Sequence, residues 1–199
     1  YVDGRDTPPG AVVEAAQRYG CASISYTYTE PTIFFEYARD VGELAHRVGL
    51  ANVFVTNGFM SPEMLDLAVP AEGKPLIDAA NVDLKSFRDE FYRKECGARL
   101  QPVLDSLRIL WQRGVWVEVT TLVIPGRNDG EEELRDAARF IAQEMSVDTP
   151  WHVSRFHPAW HLADVPPTPA VTLARAREIG LEEGLHYVYL GNVPGSEGE

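Results

Sequence analysis

The chain has 199 residues, 45% of them apolar, and a formal net charge of −12. That is enough for one domain with a substantial core, and the charge argues against non-specific binding to nucleic acid, whose phosphates it would repel. No apolar run approaches the roughly 18 residues of a membrane span and no signal peptide opens the chain, so the expectation is a soluble, cytoplasmic protein with neither nucleic-acid nor membrane partners. Helical and strand patterns then alternate with little linker. Thr7-Pro8 predicts an N-cap and first turn for a helix ending near Gly20. Residues 21–29, "CASISYTYT", read as a strand rich in β-branched and aromatic residues. Pro31 opens a helix whose predicted inner face is Phe34, Tyr37, Val41, Leu44, Ala45 and Val48.

"ANVFVTNG" is the second strand, Ser61-Pro62 caps a short helix, and "DAANVDL" is the third strand. A longer helix with Val103, Leu107, Leu110 and Trp111 on its apolar side closes at Gly114. "VWVEVTTLVIPG" is the fourth strand. Asp129 is then read as a helix cap, with Glu132 placed for a capping box and Leu134, Ala138, Ile141 and Met145 facing inward. "WHVSRF" is the fifth strand, Thr168-Pro169 opens the last helix, and "HYVYLG" is the sixth strand. About six βα units imply a parallel sheet, closed or nearly closed as a barrel, with a doubly wound open sheet as the competitor. No GxGxxG or P-loop follows the first strand, which weakens a nucleotide-binding Rossmann reading.

In a barrel, chemistry sits at the C-terminal ends of the strands. Those ends are polar here. The first offers Glu30, the second Thr56, Asn57 and the Gly58 turn, and the third Asp83 and Lys85, two apart and so on one face. On the fourth strand Glu118, Thr120 and Leu122 share a face, and "IPGRND" adds backbone donors around Gly126 and the side chain of Asn128. The fifth ends in Arg155 and His157, read as sharing a face. Each has a plainer explanation alone. Glu30 is a helix-start carboxylate, Asp83 and Lys85 an ion pair, Asn57-Gly58 a turn, His157 a loop histidine, and Glu118 a residue turned toward a helix. Convergence on one end of every strand favours function, because stability does not require it.

These residues also carry a resemblance. From Thr7 onward, "SYTYTEPTIFFEYA", "VTNGFM", "NVDLKSF", "VEVTTLVIPGRND", "WHVSRFHP" and "YVYLGNVPG" occur in that order. The chain thereby resembles radical S-adenosylmethionine (SAM) enzymes of the pyruvate formate-lyase activating enzyme type, and among them the AmmeMemoRadiSam system radical SAM enzyme. In such enzymes a [4Fe-4S] cluster binds SAM and an electron cleaves it to methionine and a 5′-deoxyadenosyl radical, which abstracts a hydrogen atom. By position, the resemblance implies that Glu30 accepts the SAM amino group and that Asn57 sits on the turn approaching the cofactor. Asp83 and Lys85 grip the methionine part, Lys85 on its carboxylate. Thr120 and the stretch from Ile124 to Gly126 form the wall near ribose and adenine, and His157 contacts the nucleoside. A zwitterionic ligand does need an acid for its ammonium and a cation for its carboxylate. Implied partners are a glycyl-radical or other protein substrate and an electron donor such as flavodoxin or ferredoxin.

The sequence departs from the family at one motif. CxxxCxxC is absent, and the only cysteines, Cys21 and Cys96, make neither a disulfide framework nor a metal site. The start "YVDGRDTPPG", without methionine, and the end "YVYLGNVPGSEGE", just after a strand, read as cuts through a longer protein. The resulting expectation is an α/β fold. It is a single partial (β/α) TIM-like barrel over residues 1–199, missing the first βα cluster segment and inactive alone, with the [4Fe-4S] cluster only in the full-length protein. Two other readings stay open. One is a Schiff-base aldolase using Lys85 as nucleophile, although the adjacent carboxylate favours the charged amine. The other is a non-catalytic scaffold that binds a partner protein.

Overall fold

The structure, a computed structural model, describes residues 6–193, so the last two residues of the "YVYLGNVPG" motif lie outside it. Six strands follow one another in parallel: β1 Ser23–Tyr26, β2 Ala51–Thr56, β3 Ala79–Asp83, β4 Trp116–Val123, β5 Trp151–Arg155 and β6 Val188–Gly191. Their spatial order is β1-β2-β3-β4-β5-β6. A doubly wound sheet reverses direction at a switch point. This order never reverses, so right-handed crossovers carry every helix to the same face, as in a barrel wall. Among the described residues β1 and β6 do not pair, and the sheet is open.

The helices are α1 Pro9–Arg18, α2 Phe35–Arg47, α3 Pro62–Ala68, the single turn α4 Asp89–Phe91, α5 Leu100–Gln112, α6 Glu131–Glu144 and α7 Ala170–Glu182. A π turn, Tyr92–Cys96, continues α4, and 3₁₀ turns occupy Pro31–Phe34 and Trp160–Leu162. None of these helices is long and apolar enough to cross a membrane. Alternation along the strands sorts the two faces of the sheet. Phe54, Ala80, Val82, Val117, Val119, Trp151 and Val153 point to the helices and are buried. Ser25, Val55, Asn81, Asp83, Glu118, Thr120 and His152 point to the helix-free inner face and stay partly open.

Several local expectations shift. The helix after Pro31 begins with a 3₁₀ turn, and the buried residues of α2 are Phe35, Ala38, Val41, Gly42 and Ala45. The tighter winding rotates the face by a position, leaving Tyr37 and Val48 exposed. Trp111 is likewise exposed on α5. Pro8, not Thr7, is the N-cap of α1, and makes no side-chain cap. Ser61 caps α3 as expected, accepting the Met64 N–H at 3.2 Å. Gly130 rather than Asp129 precedes α6, because the Asp129 carboxylate accepts the Gly126 N–H at 2.8 Å instead. Pro169 precedes α7, while the buried Thr168 hydroxyl donates to the Val123 carbonyl at 2.6 Å and accepts the Phe156 N–H at 3.0 Å.

Candidate functional site

Glu30 follows β1 and reaches across to the end of β2. Its Oε1 accepts the Thr32 N–H at 3.3 Å and the Thr56 hydroxyl at 2.6 Å, and its Oε2 accepts the Asn57 N–H at 2.8 Å. A carboxylate has about four acceptor positions, so one on Oε2 remains among the described residues. Glu30 is therefore both the helix-start carboxylate and a candidate ligand. Asn57 Oδ1 accepts the Phe59 N–H at 2.8 Å. The tight turn here needs Gly58: its φ is 70°, and a Cβ would come within 2.7 Å of Val82 Cγ1.

Asp83 and Lys85 emerge from β3 on one side. Lys85 Nζ lies 2.8 Å from Asp83 Oδ2, and both side chains are half exposed. The backbone around Lys85 is fixed from two directions. Its N–H donates to Tyr92 Oη at 3.0 Å, and its carbonyl accepts Asn128 Nδ2 at 2.6 Å. Burial pushes the Tyr92 phenol well above its usual range. Asn128 also donates to the Leu122 carbonyl at 2.9 Å and accepts the Ile124 N–H at 2.6 Å. Asn128 is thus a staple between the ends of β3 and β4, not a group offered to a ligand.

The π turn stands over Lys85 as a ridge between two cavities. One, of about 340 Å³, is lined by Lys85, Cys96, Leu122, Ile124 and Trp160. The other, of about 530 Å³, is lined by Asn57, Phe59, Lys85, Tyr92 and Cys96. Both fall in the range of small-molecule sites. Glu95 borders both and is paired with Arg127 of the β4 loop. Desolvation pushes the Cys96 thiol up, and the nearby Lys85 ammonium partly opposes that shift.

The predicted residues are thus only partly brought together. Glu30 bonds Asn57, Asp83 pairs with Lys85, and Lys85 shares one cavity with Asn57 and the other with Ile124. Thr120 lies on the inner face in register with Asp83, its hydroxyl donated to Asn81 at 2.8 Å. Gly126, at φ 69°, lines a smaller outer cavity with Arg88 and Lys94. His157 is exposed and lines neither of the two cavities. Arg155 does not share the mouth with it, because its Nε donates to the Thr168 carbonyl at 2.8 Å beside α7. Glu118 faces inward and pairs with His152 rather than with a helix. Tyr92 and Cys96 were missed, since nothing in their local pattern says that a crossover folds back over a strand end.

Residues 2–141 match the Radical SAM superfamily. An uncharacterized protein of Methanocaldococcus jannaschii, MJ0808, is 47% identical over 195 residues, covering 98% of this chain and 56% of its own length. The chain thus spans little more than half of that curated relative. Among solved structures, a domain of pyruvate-formate lyase-activating enzyme from Bacteroides vulgatus superposes with a TM-score of 0.72 at 16% identity, covering 86% of this chain and 99% of the domain. A radical SAM methyltransferase from Sphaerobacter thermophilus gives 0.69 at 16% identity over 94% of this chain and 58% of its own. SuiB of Streptococcus suis, bound to S-adenosylmethionine, gives 0.73 at 13% identity over 98% of this chain and 46% of its own. These likenesses establish the fold, and the match over residues 2–141 establishes the family: the chain belongs to the Radical SAM superfamily.

Proposed function

We propose that this chain is the SAM-binding core of a radical SAM oxidoreductase of the activase-like kind. Such an enzyme cleaves SAM reductively to a 5′-deoxyadenosyl radical, which takes a hydrogen atom from a glycine of a partner protein or from another substrate. One observation carries the reading. A carboxylate with an unused acceptor position, Glu30, and an ammonium, Lys85, stand at the ends of β1 and β3 on either side of the Asn57 turn.

That polarity suits the amino-acid end of SAM, with its ammonium toward Glu30 and its carboxylate toward Lys85. Asp83 holds Lys85 in place, and the Asn128 and Tyr92 bonds keep its backbone from shifting. The apolar wall of Leu122 and Ile124 beside Lys85 suits the nucleoside. Fixing both ends of one ligand from several strands sets its orientation before reaction. The chain's two cysteines, Cys21 and Cys96, do not fit a three-thiolate cluster loop, and among the described residues no group of three His, Cys, Asp or Glu side chains could hold a metal. In the full-length protein, working in the cytoplasm, a [4Fe-4S] cluster held by other residues and a flavodoxin- or ferredoxin-type electron donor would supply the electron that cleaves SAM.

The test is SAM binding by calorimetry. Lys85→Ala is expected to weaken it at least about tenfold, the scale of a lost charge-assisted hydrogen bond, while the thermal midpoint stays put. Unchanged affinity would return Asp83 and Lys85 to a purely structural ion pair.

A further inference from the structure

The inner face of the sheet carries a second polar assembly that the SAM clamp does not use. Glu118 of β4 accepts the Trp116 indole N–H on Oε1 at 3.2 Å, and its Oε2 lies 2.7 Å from His152 Nε2 of β5. The His152 ring stacks on Tyr189 of β6, with centroids 5.3 Å apart and planes at 24°. Asn81 of β3 lies beside Glu118 in the register and accepts the Thr120 hydroxyl.

Stability is a poor account of this arrangement. The Glu118 and His152 side chains remain 33% and 30% exposed, where an ion pair contributes little. Trp116 is 63% exposed on the same face. An organised carboxylate–imidazole pair between two open aromatic rings is the anatomy of a ligand site with few polar groups and an apolar shelf.

The hydrogen bonds decide what the site offers. A carboxylate only accepts, so Nε2 of His152 carries a proton toward Glu118, and a ring holding that single proton presents Nδ1 as an acceptor. Nδ1 has no partner among the described residues. Asn81 Oδ1 is taken by Thr120, which leaves its NH2 group as a donor. One acceptor and one donor beside flat rings match a planar, uncharged group carrying both N–H and C=O. The place is also informative. Asp83, Thr120, His152 and Tyr189 form one cross-strand row, and at about 4.8 Å per strand His152 stands roughly 10 Å from Asp83. That is next to the clamp and outside it.

We propose that Trp116, Glu118, His152 and Tyr189, with Asn81, form a substrate cradle for a planar amide- or lactam-like group, whose N–H is accepted by His152 Nδ1. That the occupant is the substrate rests on the SAM-binding reading; the chemistry of the cradle does not.

The experiment titrates the chain with benzamide and, separately, with toluene. It follows the ring C–H signals of the five histidines and the indole N–H signals of the four tryptophans by NMR. Benzamide should move the His152 and Trp116 signals saturably, and toluene should bind several-fold more weakly, about 2- to 10-fold, the net value of one neutral hydrogen bond. His152→Phe keeps a ring on Tyr189 but removes the acceptor, and should weaken benzamide by a similar factor. Equal binding of the two probes, shifts spread over the other histidines, or no shift up to the solubility of benzamide would each overturn the cradle. The toluene comparison uses the unaltered chain and so decides even if the variant fails to fold. A SAM titration of the same sample reads the Lys85 clamp separately, so a failure of one reading is distinguishable from a failure of the other.

Discussion

The carboxylate of Glu30 accepts the backbone N–H of Asn57 at 2.8 Å, which fastens the loop after β1 to the turn after β2. The neighbouring Thr56 hydroxyl, 2% exposed, donates to the same carboxylate at 2.6 Å. Glu30→Ala leaves both donors without an acceptor and is expected to cost about 1–3 kcal/mol of stability. Glu30→Gln keeps one amide oxygen and should cost less. Urea midpoints of the two variants check the order, and both should bind SAM more weakly than the unaltered chain.

Asn128 makes a sharper case. It is 2% exposed and meets the Lys85 and Leu122 carbonyls and the Ile124 N–H with one amide. Asn128→Leu fills similar space but satisfies none of the three, and a loss of roughly 3 kcal/mol or more is expected. Asn128→Asp retains only the bond to Ile124. If the staple positions Lys85, SAM affinity should fall in Asn128→Asp even where the protein remains folded at the assay temperature.

How much of this was legible beforehand depended on what each residue answers to. Glu30, Asn57, Asp83 and Lys85 announce themselves because Pro31, Gly58 and the apolar strand runs fix where the chain stops and turns. The βα alternation announces a parallel sheet, but crossovers of one hand serve barrel-like and doubly wound sheets alike, so the unreversed strand order had to come from the pairing itself. Arg155 went astray because its partner, Thr168, belongs to another element, and no local period reports a cross-element bond. For the same reason the face of Glu118 was legible but its bond to His152 was not. Asp129 looked like a cap and instead holds Gly126, since two local acceptor roles compete for one side chain. Asn128 and Tyr92 were invisible as supports for the same reason that they matter: each joins segments distant in sequence.

Stability should also fall in alkali. Burial raises the phenols of Tyr26 and Tyr92 well above the usual tyrosine range, and for Tyr26 the nearby Tyr37 and Asp78 add to it. The folded state therefore holds these protons more tightly than the unfolded chain does. Their contribution is complete below about pH 10, where unfolded tyrosine is still protonated, and is lost as pH rises toward the folded values. Urea midpoints between neutrality and strong alkali should drop above that point. Tyr26→Phe, which removes one such phenol and its 3.0 Å bond to Asn52, should drop less steeply from a lower starting value.

Cys96 supplies a readout of the mouth. Desolvation raises its thiol and Lys85 pulls it back, while Glu95 pushes it further up. In a Cys21→Ser background, iodoacetamide should label Cys96 more slowly at neutral pH than it labels a free thiol, because only the thiolate reacts. Lys85→Ala should slow labelling further, and Glu95→Gln should speed it. An unchanged rate in both variants would show that the thiol does not feel the ridge between the two cavities.

The unbroken strand order has a consequence for how the molecule comes into being. Among the described residues, each strand pairs only with the one made just before it and the one made just after. No strand must wait for a later segment to be inserted beside it, so loop closure is met in small instalments rather than in one long-range step. As the chain leaves the ribosome, each finished crossover can lay its strand against an edge already present. Among the described strands, pairing can extend in one direction, from Ser23–Tyr26 toward Val188–Gly191. The strand ends that lead into Glu30, Asn57 and Lys85 are thus synthesised, and free to pair, before the segments carrying Asn128, His152 and Tyr189.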